Sequence, residues 1–373
     1  ISVYRDRKEA WAGPLLAQAR DEAWGDTAVL TILRALPMAR WTWDRVEDIG
    51  GELAESYWRR APVFWIDDND EAAYAMRRLI DVGRARHALS LAGREGKNHL
   101  PTPLLVEVLE QAARQPFDSD GDSNEATMFQ HYVAEILGAL DARDDVDRDA
   151  LIRLEWNYLR VLEYSRRPAK VLLRALSEQP ALFIEMLSAV FKASEESDVV
   201  DPEPADPETA RMVATQAYRL LELWNRLPGT RDDGTIDGQA LEAWIKEARG
   251  LAKAVGREDI ADSRIGAMLS AAPAGADGAW PAEPVREVLD FFRSKPMLEG
   301  FAVGKGNRRG VTSRMPRDGG QQERNLAAQY RAWAKTVIAE HPFTAQALES
   351  LADRYDWEAK RHDEDAARLD WEA

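Results

Sequence analysis

Lys305, Arg308, Arg309, Arg314 and Arg317 crowd into one short glycine-containing stretch of a chain whose formal net charge is −16. Cations gathered beside a helix start, helped by backbone N–H groups, can hold a phosphate or a carboxylate. The same side chains can instead pair with the protein's own acids. Internal pairing is the first expectation, and capture of an external anion is the second. If a reaction were run there, Glu323 just beyond would serve as its general base. A nucleic acid is expected at most locally on this loop, through contacts that added salt would weaken. Elsewhere the acidic balance argues against a general nucleic-acid binder, which must turn a net basic face to phosphates.

Just upstream, Gly300-Phe301-Ala302-Val303-Gly304-Lys305-Gly306 imitates a phosphate loop. Its spacing is one residue short, no Ser or Thr follows Lys305 to hold magnesium, and no strand is expected before it. Asp118-x-Asp120-x-Asp122 opens like a calcium loop, but Ser123 and Phe129 stand where that loop needs glycine and a bidentate glutamate. The run reads better as a solvated acidic linker. The five histidines, His87, His99, His131, His341 and His362, share no metal-ligand spacing. Without cysteine there is no disulfide, thiolate metal site or cysteine nucleophile, and no Ser/His/Asp layout emerges. No catalytic residue, metal or cofactor is therefore expected.

Aromatic side chains are the other candidates. Among the 13 tryptophans, Trp41, Trp43, Trp58 and Trp65, together with Tyr57, fall close together. Such rings dominate the energetics of cores and interfaces alike, so density alone does not separate the two uses. Core packing is the first expectation. If any face meets a partner, the Trp41 to Trp65 region is the first choice.

These residues have to be positioned by helices. Apolar residues recur at helical spacing nearly throughout, and strand-like alternation is almost absent. Ala28 to Leu36 forms one face ended by Pro37, a single helix is expected from Trp43 to Arg60, and Asp70 can cap a third helix that Gly83 stops. Pairs of helices joined by glycine turns follow to about Ala193. The expected fold is all-α: an irregular, HEAT/TPR-like α-solenoid of antiparallel pairs over residues 1–196, a linker at 197–207 rich in acids and prolines, and a helical domain over 208–373. The last domain is expected to carry an irregular basic loop at 300–320 and to end in a long helical hairpin, turned at His341-Pro342-Phe343.

No apolar run approaches the roughly 20 residues of a membrane span, and Ile1 to Asp6 lacks the layout of a signal peptide. A cytoplasmic protein without a membrane partner is expected. Its start at Ile1 rather than methionine suggests a piece of something longer, whose other domains would be natural partners.

Trp280-Pro281 with Val285-Arg286, Asn307-Arg308-Arg309-Gly310-Val311, Gly319-Gly320 with Glu323-Arg324, Tyr330-Arg331, and Tyr355 with Asp363 form a pattern in the second half. Leu36-Pro37, Trp43, Tyr57-Trp58 and Leu79 with Gly83-Arg84 extend it through the first. The pattern resembles the C-terminal helical regions of large, poorly characterised bacterial multidomain proteins. That resemblance implies an anti-phage defence or signalling setting. Taken with the absence of a catalytic set, the expected function is a non-catalytic protein-interaction, sensor or scaffold region that binds a protein, a peptide or the parent's other domains. The alternative is an unfamiliar enzyme domain acting on an anionic substrate held at 305–317.

Overall fold

The computed structural model describes residues 2–63, 66, 68–93, 98–115, 123–310 and 319–371. The acidic run at 118–122, together with Trp65, Arg314 and Arg317, lies outside them. Among the described residues the protein is all-α, with 19 helices, no strand and a lone bridge between Thr230 and Ile236. No helix among them is long and apolar enough to cross a membrane. The chain forms two compact units, Ile1–Leu172 and Leu173–Ala373.

In the first unit, α1 (Ser2–Asp21), α2 (Asp26–Ala35), α3 (Arg40–Ile49) and α4 (Gly51–Arg60) precede α5 (Asn69–Asp81), α6 (Ala85–Ala92), α7 (Thr102–Ala113) and α8 (Ser123–Asp141). Two shorter helices, α9 (Arg148–Asn157) and α10 (Leu159–Leu162), follow, and α11 (Lys170–Glu178) contains the boundary between units. Helices pack on those one or two places along the chain: α5 on α6, α6 on α7 and α8, α7 on α9, α8 on α10. Such nearest-neighbour packing of adjacent pairs is what a helical array requires. The single helix expected from Trp43 to Arg60 is two helices. Gly50 and Gly51 both take positive φ, +66° and +58°, a conformation that breaks a right-handed helix and that glycine adopts without a Cβ penalty.

One turn recurs in both units. At Val82-Gly83-Arg84 the glycine ends α5 at φ +73°, and the Arg84 guanidinium donates to the carbonyls of Trp58 (2.9 Å) and Ala61 (2.8 Å) at the end of α4. At Val255-Gly256-Arg257 the glycine sits at φ +66°, and Arg257 donates to Phe191 O at 2.8 Å. Backbone closure is the same in both: the arginine N–H reaches back to Leu79 O (2.7 Å) or Ala252 O (2.8 Å). Each glycine thus closes its own helix while the arginine occupies orphan carbonyls at the end of an earlier one. A Cβ at Gly83 would meet nothing within 4 Å, so Gly83→Ala should cost only the left-handed backbone penalty, about 1–2 kcal/mol. At Gly256 a Cβ would lie 2.3 Å from Ser197 Oγ, so Gly256→Ala should cost more. Denaturant titration of the two variants checks that order.

The second unit comprises α12 (Pro180–Val190), α13 (Pro207–Leu223), α14 (Gly238–Ala254), α15 (Glu258–Leu269), α16 (Glu283–Phe292), α17 (Lys295–Arg308), α18 (Gln321–Val337) and α19 (Pro342–Trp371). Phe183, Trp224 and Trp244 gather where α12 packs on α13 and α14, with centroids 5.2–5.5 Å apart. Within 197–207, Asp201 accepts from Ala193 N (2.8 Å) and pairs with the buried Arg257. Asp290 of α16 accepts from Phe343 N (2.8 Å), Thr344 N (3.0 Å) and Thr344 Oγ1 (2.7 Å), giving partners to orphan donors in the first turn of α19. The expected hairpin forms from α18 and α19 and buries Leu348, Leu351, Tyr355 and Ala359. The loop expected from 300 onward is helical as far as Arg308: Ser294 caps α17 by accepting from Met297 N at 3.3 Å, and Pro296 stands in its first turn, where no helical N–H is needed.

Candidate functional site

The glycines that imitate a phosphate loop are a helix-crossing surface. An added Cβ at Gly300 would fall 1.9 Å from Ser263 O, one at Gly266 1.9 Å from Met297 O, and one at Gly304 2.7 Å from Ala267 Cα. Glycine four residues apart on α17, facing Gly266 on α15, lets the two backbones touch. That crossing fixes where the next turn of α17 must lie. The Trp280 ring stacks on Phe301 (4.8 Å between centroids, 16° between planes), and its indole N–H donates to Ala272 O at 2.8 Å. One turn further along, the Lys305 ammonium sits 4.1 Å from the centroid of that same indole. Burial, and then the neighbouring Arg308, holds Lys305 below the ordinary lysine pKa.

Lys305 and Arg308 share one face of the helix. Arg308 Nε donates to Ser270 Oγ at 3.1 Å, and burial lowers the guanidinium's pKa against a partial offset from Glu222. Arg309 turns elsewhere, to Glu323 at 2.5 Å and Glu358 at 3.5 Å, and lies 5.3 Å from the Tyr355 ring centroid. Tyr355 stacks on Tyr330 (5.5 Å, 15°), whose hydroxyl burial pushes well above the ordinary tyrosine range. Glu323 is 0% exposed. The expected cluster of five cations is therefore divided: Lys305 and Arg308 stand together, Arg309 is spent on internal acids, and Arg314 and Arg317 lie outside the described residues.

The aromatic region resolves similarly. Trp43 and Tyr57 are 0% exposed and Trp58 is 2% exposed, so these rings belong to the core and have no face to offer a partner. Trp43 packs 5.6 Å from both Trp58 and Tyr74, while burial pushes the Tyr57 hydroxyl up to about 12. Trp41 alone among the described members keeps a partly open face, with the Arg45 guanidinium 3.4 Å from its ring centroid.

Buried carboxylates that sequence reading passed over are joined to arginine. Glu155, 0% exposed, pairs with Arg167 at 2.7 Å and accepts from Leu172 N at 2.7 Å. Asp262, 2% exposed, accepts from Arg249 Nε (2.8 Å) and Ser294 Oγ (2.5 Å). Burial raises both acids' pKa values, against the opposing pull of those donors. Nothing in local spacing marks these pairs, because Arg167 arrives from the turn after α10 and Arg249 from α14. Among the described residues no group of three or more His, Asp or Glu side chains is placed to hold a metal. A groove of about 480 Å³ beside the start of α15 is lined by Lys192, Lys253, Glu196, Glu258 and Asp259, a mixture of signs that selects no ligand charge.

No protein-family model, curated protein or solved structure matches the chain.

Proposed function

We propose that the chain is a non-catalytic protein-interaction region, a scaffold or sensor working in the cytoplasm, whose helical surfaces meet a protein or peptide or further domains of a parent chain. The observation that supports it most is the use made of buried acids. Glu155, Asp262 and Glu323 are each held by an arginine from another segment: Arg167 in the turn between α10 and α11, Arg249 on α14, and Arg309 at the end of α17. A carboxylate so held ties two segments of the chain together, and its burial leaves it no open path to a substrate. An enzyme acting on an anion at 305–317 would need a free acid beside the cations, and Glu323 is committed to Arg309.

Trp41 and Arg45 are our candidate contact point, a partly exposed pair of residue types enriched among binding hot spots. Affinity capture with the folded chain, followed by titration of the captured protein against purified wild type and Trp41→Ala, tests the reading. Saturable binding weakened at least about tenfold by Trp41→Ala, as expected for loss of a hot-spot ring, is the expected result. Failure to capture any saturable binder, or an affinity indifferent to Trp41, would refute it.

A further inference from the structure

Charges around the last turn of α17 do not cancel. Arg309 is balanced by Glu323 and Glu358, and Arg264 by Glu222 at 2.5 Å. Lys305 and Arg308 have no carboxylate within ion-pair distance among the described residues. Arg308 uses only Nε, toward the neutral hydroxyl of Ser270, which leaves Nη1 and Nη2 without a hydrogen-bond partner among the described residues, on a residue open to solvent whose guanidinium is partly desolvated. The Lys305 ammonium rests on the Trp280 indole, a contact that satisfies charge but none of its hydrogen-bond donors.

These two residues are three apart on one helix, so their Cβ atoms stand about 5–6 Å from each other and both heads can reach one small ligand. The carbonyl end of α17 favours cations there and explains why the pair is tolerated, but it asks for no particular geometry. The geometry does more than that. Trp280 is clamped by Phe301, Tyr330 and Trp333 and holds Lys305 over its ring, while Ser270 accepts from Arg308 Nε and so limits the turning of its fork. Two oriented cations with free donors, in a protein of net charge −16, make a preorganised anion receptor.

We propose that Lys305 and Arg308 form a binding site for a phosphate-type oxyanion, with Lys305 Nζ and the two Arg308 Nη groups as its donors. The ligand is inorganic phosphate or a phosphoryl group carried on another molecule, since both offer the same oxygens. The site is independent of the Trp41 surface, so either assignment can fail without the other.

Isothermal titration of the whole chain with inorganic phosphate and, separately, with a phosphoserine peptide tests it. Saturable one-to-one binding is expected for at least one of these probes. Lys305→Met and Arg308→Gln should each weaken it at least about tenfold, as removal of a charge-assisted donor does. Lys305→Arg should retain most of it. Arg308 is the more exposed of the two, so Arg308→Gln should leave the fold intact and keeps the test decisive even if Lys305→Met disturbs the packing on Trp280. Lysine-selective NMR supplies a readout that a merely structural role would not move: the Lys305 pKa should rise when the anion binds. Tighter binding of the peptide would place the phosphoryl group on a protein, and equal affinities would place the recognition in the phosphate alone. Binding that does not saturate, or that survives both Lys305→Met and Arg308→Gln, would mean an adventitious ion only and would overturn the proposal.

Discussion

Gly300→Ala should destabilise the second unit by about 3 kcal/mol or more, although it replaces a helix-interior glycine with the best helix former. Alanine improves helix propensity by about 1 kcal/mol at an open position. At residue 300 the new methyl would instead lie 1.9 Å from Ser263 O and 2.7–2.8 Å from Ser263 C and Cα, all backbone atoms that cannot swing aside. Relief requires α15 and α17 to separate, and overpacking of this kind costs about 1–3 kcal/mol or occasionally more before the lost contacts of Phe301 are counted. The control is Gly250→Ala in α14, where nothing lies within 4 Å of the new Cβ. That variant should gain up to about 1 kcal/mol. For a unit of this size the two substitutions should move the midpoint in opposite directions, down by about 6–12 °C and up by about 2–4 °C. Calorimetry of both variants measures it. A Gly300→Ala chain as stable as wild type would mean that the helices do not touch at this residue.

The same glycines show how far the sequence can be read. Helices are legible because amphipathic spacing is local: each face can be counted along its own segment, and Leu348, Leu351 and Tyr355 are buried as that counting predicts. The meaning of Gly300 and Gly304 is not local. Their spacing of four is written in α17, but the reason for it, Gly266 and Ser263 on α15, lies far upstream, and a run of glycines with one lysine looks equally like a loop. The break at Gly50-Gly51 was available as paired glycines but is outweighed by the continuous apolar face on either side. Trp43, Tyr57 and Trp58 are legible as aromatic and not as buried, because burial depends on Tyr74 arriving from α5.

Arginine is where composition misleads most. A count of cations suggests solvated surface charge, yet Arg84, Arg167, Arg257 and Arg286 are each committed to carbonyls or acids inside the fold. A planar fork with several donors can close two helix ends at once, which an ammonium on a flexible stem does less well. Lys305 and Arg308 stand out against that background because their donors are not used in this way.

Arg167→Met should be the most damaging substitution in the first unit, with a pH dependence that identifies its cause. Arg167 pairs with Asp141 at 2.6 Å and with Glu155 at 2.7 Å, and Glu155 has no exposure to water. Removing one partner from a buried pair costs about 3–5 kcal/mol, because the remaining charge is stranded. Burial raises the Glu155 pKa even with Arg167 present, and without the guanidinium it must rise further. A carboxyl whose folded pKa exceeds its unfolded one binds protons more tightly when folded. Its protonation therefore supports folding below the unfolded pKa, and that support is lost as pH climbs through the folded value. Asp141 acts in the opposite sense: burial alone would raise its pKa, but Arg167 and Lys170 hold it below the ordinary value, so wild type loses stability as acid protonates it. Both terms narrow the gap between variant and wild type in acid and widen it toward neutral pH. Urea titrations at pH 5 and pH 8 should show the larger deficit at pH 8, and Glu155→Gln added to Arg167→Met should recover much of it by removing the stranded charge. A deficit independent of pH would mean that Arg167 contributes by packing its stem rather than by neutralising Glu155.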